Sequence, residues 1–338
     1  MAKRTSRTRG AQRSSSGERP VSGALVWWLR CLGVLAFVAV LLRLPSTQDV
    51  QLSRIDLRWL GVCMLLTVFQ LLLEAFAWQW LLSIQRVHHP YPRTLVAYLA
   101  SQYLGLVTPG HVGEYLAAAY VSSHTGLTVG YVLSSVVMNK ILYWITVVAF
   151  GIWSLPLLTD VPFLHGVRVI VVASIVVLVT LSAGIGIWVV ALRHLAKKWR
   201  KLSPWQIDMT EFWSGMRHLT VGALVMPMAI LVVAFGLLFA QLDAVLHSLG
   251  IALPMVEVAK IVGLSRIAAR LVPLSVIGFG AKDAALIVLL KRHGLATPVT
   301  ATVAVLWMAC SYLPMLLLSG LCWWIKPLVV RRVGGTRS

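Results

Sequence analysis

Six apolar stretches, each long enough to cross a bilayer, constrain this chain more than any other feature. A membrane-spanning helix needs about 20 apolar residues to cover about 30 Å of hydrocarbon. Residues 24–43, 58–84, 131–155, 166–192, 219–247 and 298–325 meet that requirement. Charge or turn residues bound them, among them Pro45, Pro156, Pro162 and Pro327. Apolar residues make up 59% of the chain and charged residues 12%, against roughly 45–50% and 25% in soluble proteins. A soluble core cannot hide that much apolar surface, whereas a bilayer can. The fold class is therefore all-α: a polytopic helical membrane protein with about six transmembrane helices.

The net charge of +19 raises the question of nucleic acid, and its placement answers it. Basic residues gather at Lys3–Arg19, at Arg193–Lys201 and at Lys326–Arg337, each beside an apolar stretch. That is the positive-inside pattern of cytoplasmic membrane loops, so no nucleic-acid partner is expected. The reading is a multi-pass plasma-membrane protein with both termini cytoplasmic. Residues 1–23 form a disordered basic tail, 24–325 the membrane domain and 326–338 a second basic tail. The apolar run after the N-terminal tail lacks a small-x-small cleavage site and reads as an uncleaved signal anchor.

Two further regions, about 93–127 and 254–293, are apolar but broken. The first contains Thr108-Pro109-Gly110-His111-Val112-Gly113-Glu114, and the second Pro273-Leu274-Ser275-Val276-Ile277-Gly278-Phe279-Gly280. Each joins a helical stretch, a Pro/Gly break and a shorter helical stretch. The basic clusters all fall inside only if each region enters and leaves on one side, which makes both re-entrant hairpins, the first from the cytoplasm and the second from outside. Lys291 and Arg292 then face outward, against the pattern. Residues 58–155 and 219–325 both read span, hairpin, span. Pro92 matches Pro254, Pro109 matches Pro273, and the Gly-Leu ending at Leu127 matches the one ending at Leu295. Opposite sides of approach make this an inverted repeat, whose paired broken helices are the usual pointer to a transporter's site. Gly/Pro segments that merely pack a bundle are the alternative.

A charge inside the membrane costs about 2.5–3.5 kcal/mol on insertion scales, so each needs a partner, water or a function. Such positions are Glu74, Glu114, Lys140, Glu257, Lys260, Arg266, Arg270, Lys282 and Asp283. Arg266 and Arg270, spaced i, i+4, share a helix face that leads to the second break, and Lys282 follows it. Three cations thus converge on a helix N-terminus, which itself favours anions, and a lipid phosphate suits them. The alternative is that they pair with Glu257, Asp283 and Glu114 to hold the hairpins. The candidate substrate-binding set is Glu114, Lys260, Arg266, Arg270, Ser275, Lys282 and Asp283. Glu114 and Asp283 can also cap the helices they open, the favoured reading, or carry a coupling proton. His111 and Glu114, spaced i, i+3, lack a third ligand for a metal. The four cysteines (Cys31, Cys63, Cys310, Cys322) fall in apolar stretches without C-x-x-C spacing and read as small core residues. Most tryptophans, such as Trp27, Trp28, Trp59, Trp323 and Trp324, read as interfacial anchors. No hydrolase, P-loop, zinc-protease or glycosyltransferase motif is present, so neither an enzyme nor a cofactor is expected.

At the two hairpins the sequence resembles the flippase-like membrane region of lysylphosphatidylglycerol synthases and the stand-alone membrane proteins sharing it. The resemblance rests on Leu104–Glu114, with its Pro-Gly-x-x-Gly-Glu, and on Leu271–Asp283, with Pro-x-Ser-x-x-Gly-x-Gly-x-x-Asp. It covers about residues 25–325. It implies movement of a lipid or lipid-linked headgroup between leaflets, with the hairpins lining the path and membrane lipids as partners. Three positions depart from the family pattern: Tyr115–Ala117 lacks an Arg, Asn139-Lys140 replaces a Glu-Arg pair, and Asp283 replaces a Glu. The other role considered is a non-catalytic membrane partner of a lipid-modifying or glycan-synthesising enzyme.

Overall fold

The structure, a computed structural model, describes residues 55–155, 209–271 and 281–325. The elements are α1 (Leu57–Ile84), α2 (Tyr91–Val107), a 3₁₀ segment (Pro109–Leu116), α3 (Ala117–Thr125) and α4 (Val129–Trp153). They continue with α5 (Met209–Arg217), α6 (Val225–Ser248, led by a 3₁₀ turn at Gly222–Leu224), α7 (Met255–Leu271), α8 (Ala281–Arg292) and α9 (Thr297–Ile325). Among the described residues there is no strand. Among the described residues, four helices are long and apolar enough to cross a membrane: α1, α4, α6 with its leading turn, and α9. They match the spans expected at 58–84, 131–155, 219–247 and 298–325. The spans expected at 24–43 and 166–192, and both terminal tails, lie outside the described residues.

Local chemistry sets the ends of these helices. Asp56 caps α1 by accepting from the Arg58 N–H at 2.9 Å, satisfying one of the orphan donors of the first turn. Pro90 and Pro92 open α2, where a missing N–H costs nothing. Thr108 then stops it. Its hydroxyl donates to the Leu104 carbonyl at 2.7 Å and accepts from the Gly113 N–H at 2.8 Å, so one side chain pins the 3₁₀ segment back onto α2. Gly113 is required there, because a Cβ would strike the Leu104 backbone carbonyl. The two matched Gly-Leu steps also play one role. Gly126 (φ 71°) ends α3 and Gly294 (φ 80°) follows α8, both left-handed, where a Cβ is penalised.

The packing repeats itself under exchange of the two halves. Helix α2 packs on α9 as α7 packs on α4; α1 packs on α9 as α6 does on α4; α3 packs on α4 as α8 does on α9. The most extensive interface joins the first helices of the two repeats, α1 and α6. These run antiparallel. The Asp56 N–H at the start of α1 reaches the Ser248 carbonyl at the end of α6 (3.0 Å), Gln70 meets Gln241 near mid-length, and Ala77 and Leu81 share a cluster with Ile230 and Leu231. A two-fold relating antiparallel mates lies across the helices, which is the geometry of an inverted repeat. The glycines of these interfaces obey it too, with a tight approach at the first and an ordinary contact at the second. Gly151 of α4 leaves room for Ile267 of α7, and Gly320 of α9 lies against Tyr103 of α2.

Cys63 and Cys310 are buried as expected, and their thiols meet across α1 and α9; Cys31 lies outside the described residues. One tryptophan departs from the interfacial expectation. Trp59 and Trp324 are exposed, but Trp323 is buried and stacks on Tyr103 with ring centroids 6.3 Å apart. The reason is helix phase: Trp323 is on the α9 face that meets α2, and Trp324 is one step round the helix from it.

Candidate functional site

The cationic site is built by α7, α8 and α9. Arg266, on the fourth turn of α7, places its guanidinium carbon 5.5 Å from the centroid of the Trp307 ring. Lys282, at the start of α8, places Nζ 4.8 Å from the same ring and 5.4 Å from Tyr312. Two cations on different elements thus meet at one indole, and a buried ring face attracts each by its quadrupole. Lys282 is buried and lies 3.4 Å from a carboxylate oxygen of its neighbour Asp283, which is fully buried. Arg266, Lys282 and Asp283 together carry one net positive charge.

The site also has donors to spare. Among the described residues, neither Nε of Arg266 nor the indole N–H of Trp307 has a hydrogen-bond acceptor, and both atoms are buried. An unmet buried donor costs about 1–3 kcal/mol and calls for an occupant. A cationic excess beside unmet donors is the arrangement an anion satisfies, and Arg does so with a planar fork of N–H groups.

The other members of the expected set separate. Lys260 does not join Trp307; it bonds Glu257 at 2.9 Å one turn away on α7 and sits about 9 Å along the helix from Arg266. Pairing within the hairpins, the bland alternative for the cations, therefore holds for Lys260 and Glu257 and in part for Lys282 and Asp283. Arg270 lies on the last turn of α7, and its side chain, like Ser275 and the whole second break at 272–280, lies outside the described residues. Glu114 belongs to the other hairpin. Its carboxylate forms an ion pair with Lys140 of α4.

That ion pair corrects one expectation. Glu114 does not cap the helix that follows it: α3 begins at Ala117, its N-cap position is Leu116 with no side-chain cap, and Glu114 is inside the preceding 3₁₀ segment. The 3₁₀ turns carry the chain past the break before regular helix resumes, so Glu114 is displaced from the cap position and turned toward α4. The pair ties the first hairpin to α4, the closing span of its repeat. Trp307 does the corresponding work in the second repeat, where it is the α9 residue that Arg266 and Lys282 face.

Two features were not assigned in advance. Trp307 has no motif, and its one signal is position: it lies in mid-span, far from the belt that interfacial tryptophans occupy. Glu74 was recognisable as a charge inside a span, but its partners were not. They form a chain in which Ser311 donates to Gln241 (3.4 Å), Gln241 to Gln70 (2.8 Å), and Gln70 to Glu74 (2.9 Å), while Tyr98 also donates to Glu74 (2.6 Å).

The family model described as the lysylphosphatidylglycerol synthase TM region matches residues 25–319. Comparison with curated proteins and with solved structures gives no match.

Proposed function

Because the chain belongs to the lysylphosphatidylglycerol synthase transmembrane-region family, we propose that it moves a lipid, or a lipid-linked headgroup, across the plasma membrane. In this reading both broken hairpins are re-entrant, and the second holds the phosphate of the headgroup. The chain acts as a transporter and catalyses no covalent step. The observation that carries the reading is the Trp307 site, where Arg266 and Lys282 outnumber Asp283 and two buried donors lack acceptors among the described residues. A phosphate monoanion or diester neutralises the excess and accepts from Arg266. The acyl chains stay in the bilayer, along the apolar side chains that α8 and α9 turn outward, such as Val288, Leu317 and Leu321.

The test uses the full chain reconstituted in liposomes containing a fluorescent phosphate-bearing lipid, with quencher added outside to report which leaflet the lipid occupies. Wild type moves the lipid, and Arg266→Ala or Lys282→Met slows it at least about tenfold, the loss of one charge-assisted hydrogen bond of about 1.5–3 kcal/mol. The reading fails if no phosphate-bearing lipid moves, or if movement ignores both substitutions. Copurification with a lipid- or glycan-modifying enzyme, together with that indifference, would support the role of a non-catalytic partner.

A further inference from the structure

Glu74 is unlike the other described acidic residues of the membrane-embedded helices. Glu114 lies against Lys140, Glu257 against Lys260, Asp283 against Lys282 and Asp243 against His247. Among the described residues, Glu74 meets only neutral donors: the Gln70 amide on one oxygen and the Tyr98 hydroxyl on the other. It lies about 15 Å of helix rise from the nearer end of α1, a depth at which an uncompensated carboxylate is costly. Neutral donors lower that cost without supplying a countercharge.

The surroundings make the change of state consequential. Gln241, on α6, is fully buried and fixes Gln70 across the two-fold interface of α1 and α6. Ser311 joins this chain from α9. Tyr98, on α2, is buried and links Glu74 to the first hairpin. The charged and titratable groups around this phenol are Glu74, Glu114 and Tyr143, and Glu114 is in turn held by Lys140 of α4. Helix α2 therefore reaches Glu74 directly, α6 through one side chain and α9 through two.

Resting on the transport reading above, we infer that Glu74 is a proton-binding site whose occupancy couples lipid movement to the pH gradient across the membrane. The proton binds Oε2, and the bond with Tyr98 reverses, the carboxyl donating and the phenol oxygen accepting. No other bond is made or broken. The ionised pair is a charge-assisted hydrogen bond and roughly twice as strong as the neutral one. Protonation therefore loosens the tie between α1 and the first hairpin, while Gln70 keeps donating to Oε1.

Two measurements on the full chain in liposomes or nanodiscs test this. Infrared difference spectra across a pH titration should contain a carboxylic-acid C=O band from wild type that is absent from Glu74→Gln. The same band should persist in Tyr98→Phe with a displaced midpoint. In proteoliposomes, a pH gradient of one unit should support a steady-state lipid ratio of about tenfold for one coupled proton. Glu74→Gln should still move lipid but reach no ratio above one. The proposal is overturned if no titrating carboxyl band is lost in Glu74→Gln, or if that variant keeps the gradient response. Absence of any lipid movement would instead refute transport, and the infrared titration would still decide whether Glu74 binds a proton.

Discussion

The ion pair between Glu114 and Lys140 gives the sharpest prediction about what holds the first hairpin. The Glu114 side chain is 12% exposed and that of Lys140 25%, so the carboxylate has less access to water than the ammonium. Lys140→Met keeps the length of the side chain and removes its charge. It leaves a largely buried carboxylate without its cation, which costs about 3–5 kcal/mol; the partial exposure of the lysine places this near about 3 kcal/mol. Glu114→Gln strands only Lys140, whose long stem can carry the ammonium toward the surface, and should cost about 1–2 kcal/mol. The double variant leaves no orphan charge and should cost less than about 1 kcal/mol more than wild type. The cycle thus predicts a coupling of about 3 kcal/mol, read from reversible unfolding of all four proteins in mixed micelles. A coupling below about 0.5 kcal/mol, the level of independent sites, would show that the two residues do not meet, and the account of the first hairpin would be wrong.

Two other perturbations probe packing. Gly113→Ala sets a Cβ against the Leu104 backbone, which cannot rotate away, whereas a Cβ at Gly61 meets nothing; unfolding in micelles should show a loss of about 1–3 kcal/mol for the first and a gain of up to about 1 kcal/mol for the second. Equal effects would contradict the close approach. In a chain whose Cys31 and Cys322 are changed to Ser, mercuric ion should bridge Cys63 and Cys310, so that both thiols become unreactive to maleimide after denaturation; two thiols that still react would place α1 and α9 apart.

Much of the architecture was readable because hydropathy and charge act over whole helices. The four described spans begin and end within a few residues of their sequence limits, since a run of apolar residues between charges leaves little freedom. The repeat was readable from Pro92 and Pro254, Pro109 and Pro273, and the Gly-Leu pairs, because backbone-breaking residues leave a mark that side-chain substitution does not erase. The site was only half visible. Arg266 and Lys282 follow from their spacing around the break, but Trp307 is distant in sequence and its selection depends on how α9 is phased against α7 and α8. Lys260, a member of the candidate set, pairs with Glu257, because i, i+3 pairing competes with convergence and spacing alone does not rank them. Glu74 had the same difficulty. Its meaning depends on Tyr98 and Gln241, which reach it only through helix packing.

The central claim is that the second hairpin holds a lipid phosphate on Arg266 and Lys282 beside Trp307. Native mass spectrometry of the protein released from membrane extracts tests it most directly, comparing wild type with Arg266→Ala and Lys282→Met. The account predicts a phosphate-bearing lipid retained by wild type and lost from both variants, which themselves remain folded. Equal retention by all three proteins, or the absence of any bound phosphate-bearing lipid from wild type, would contradict it.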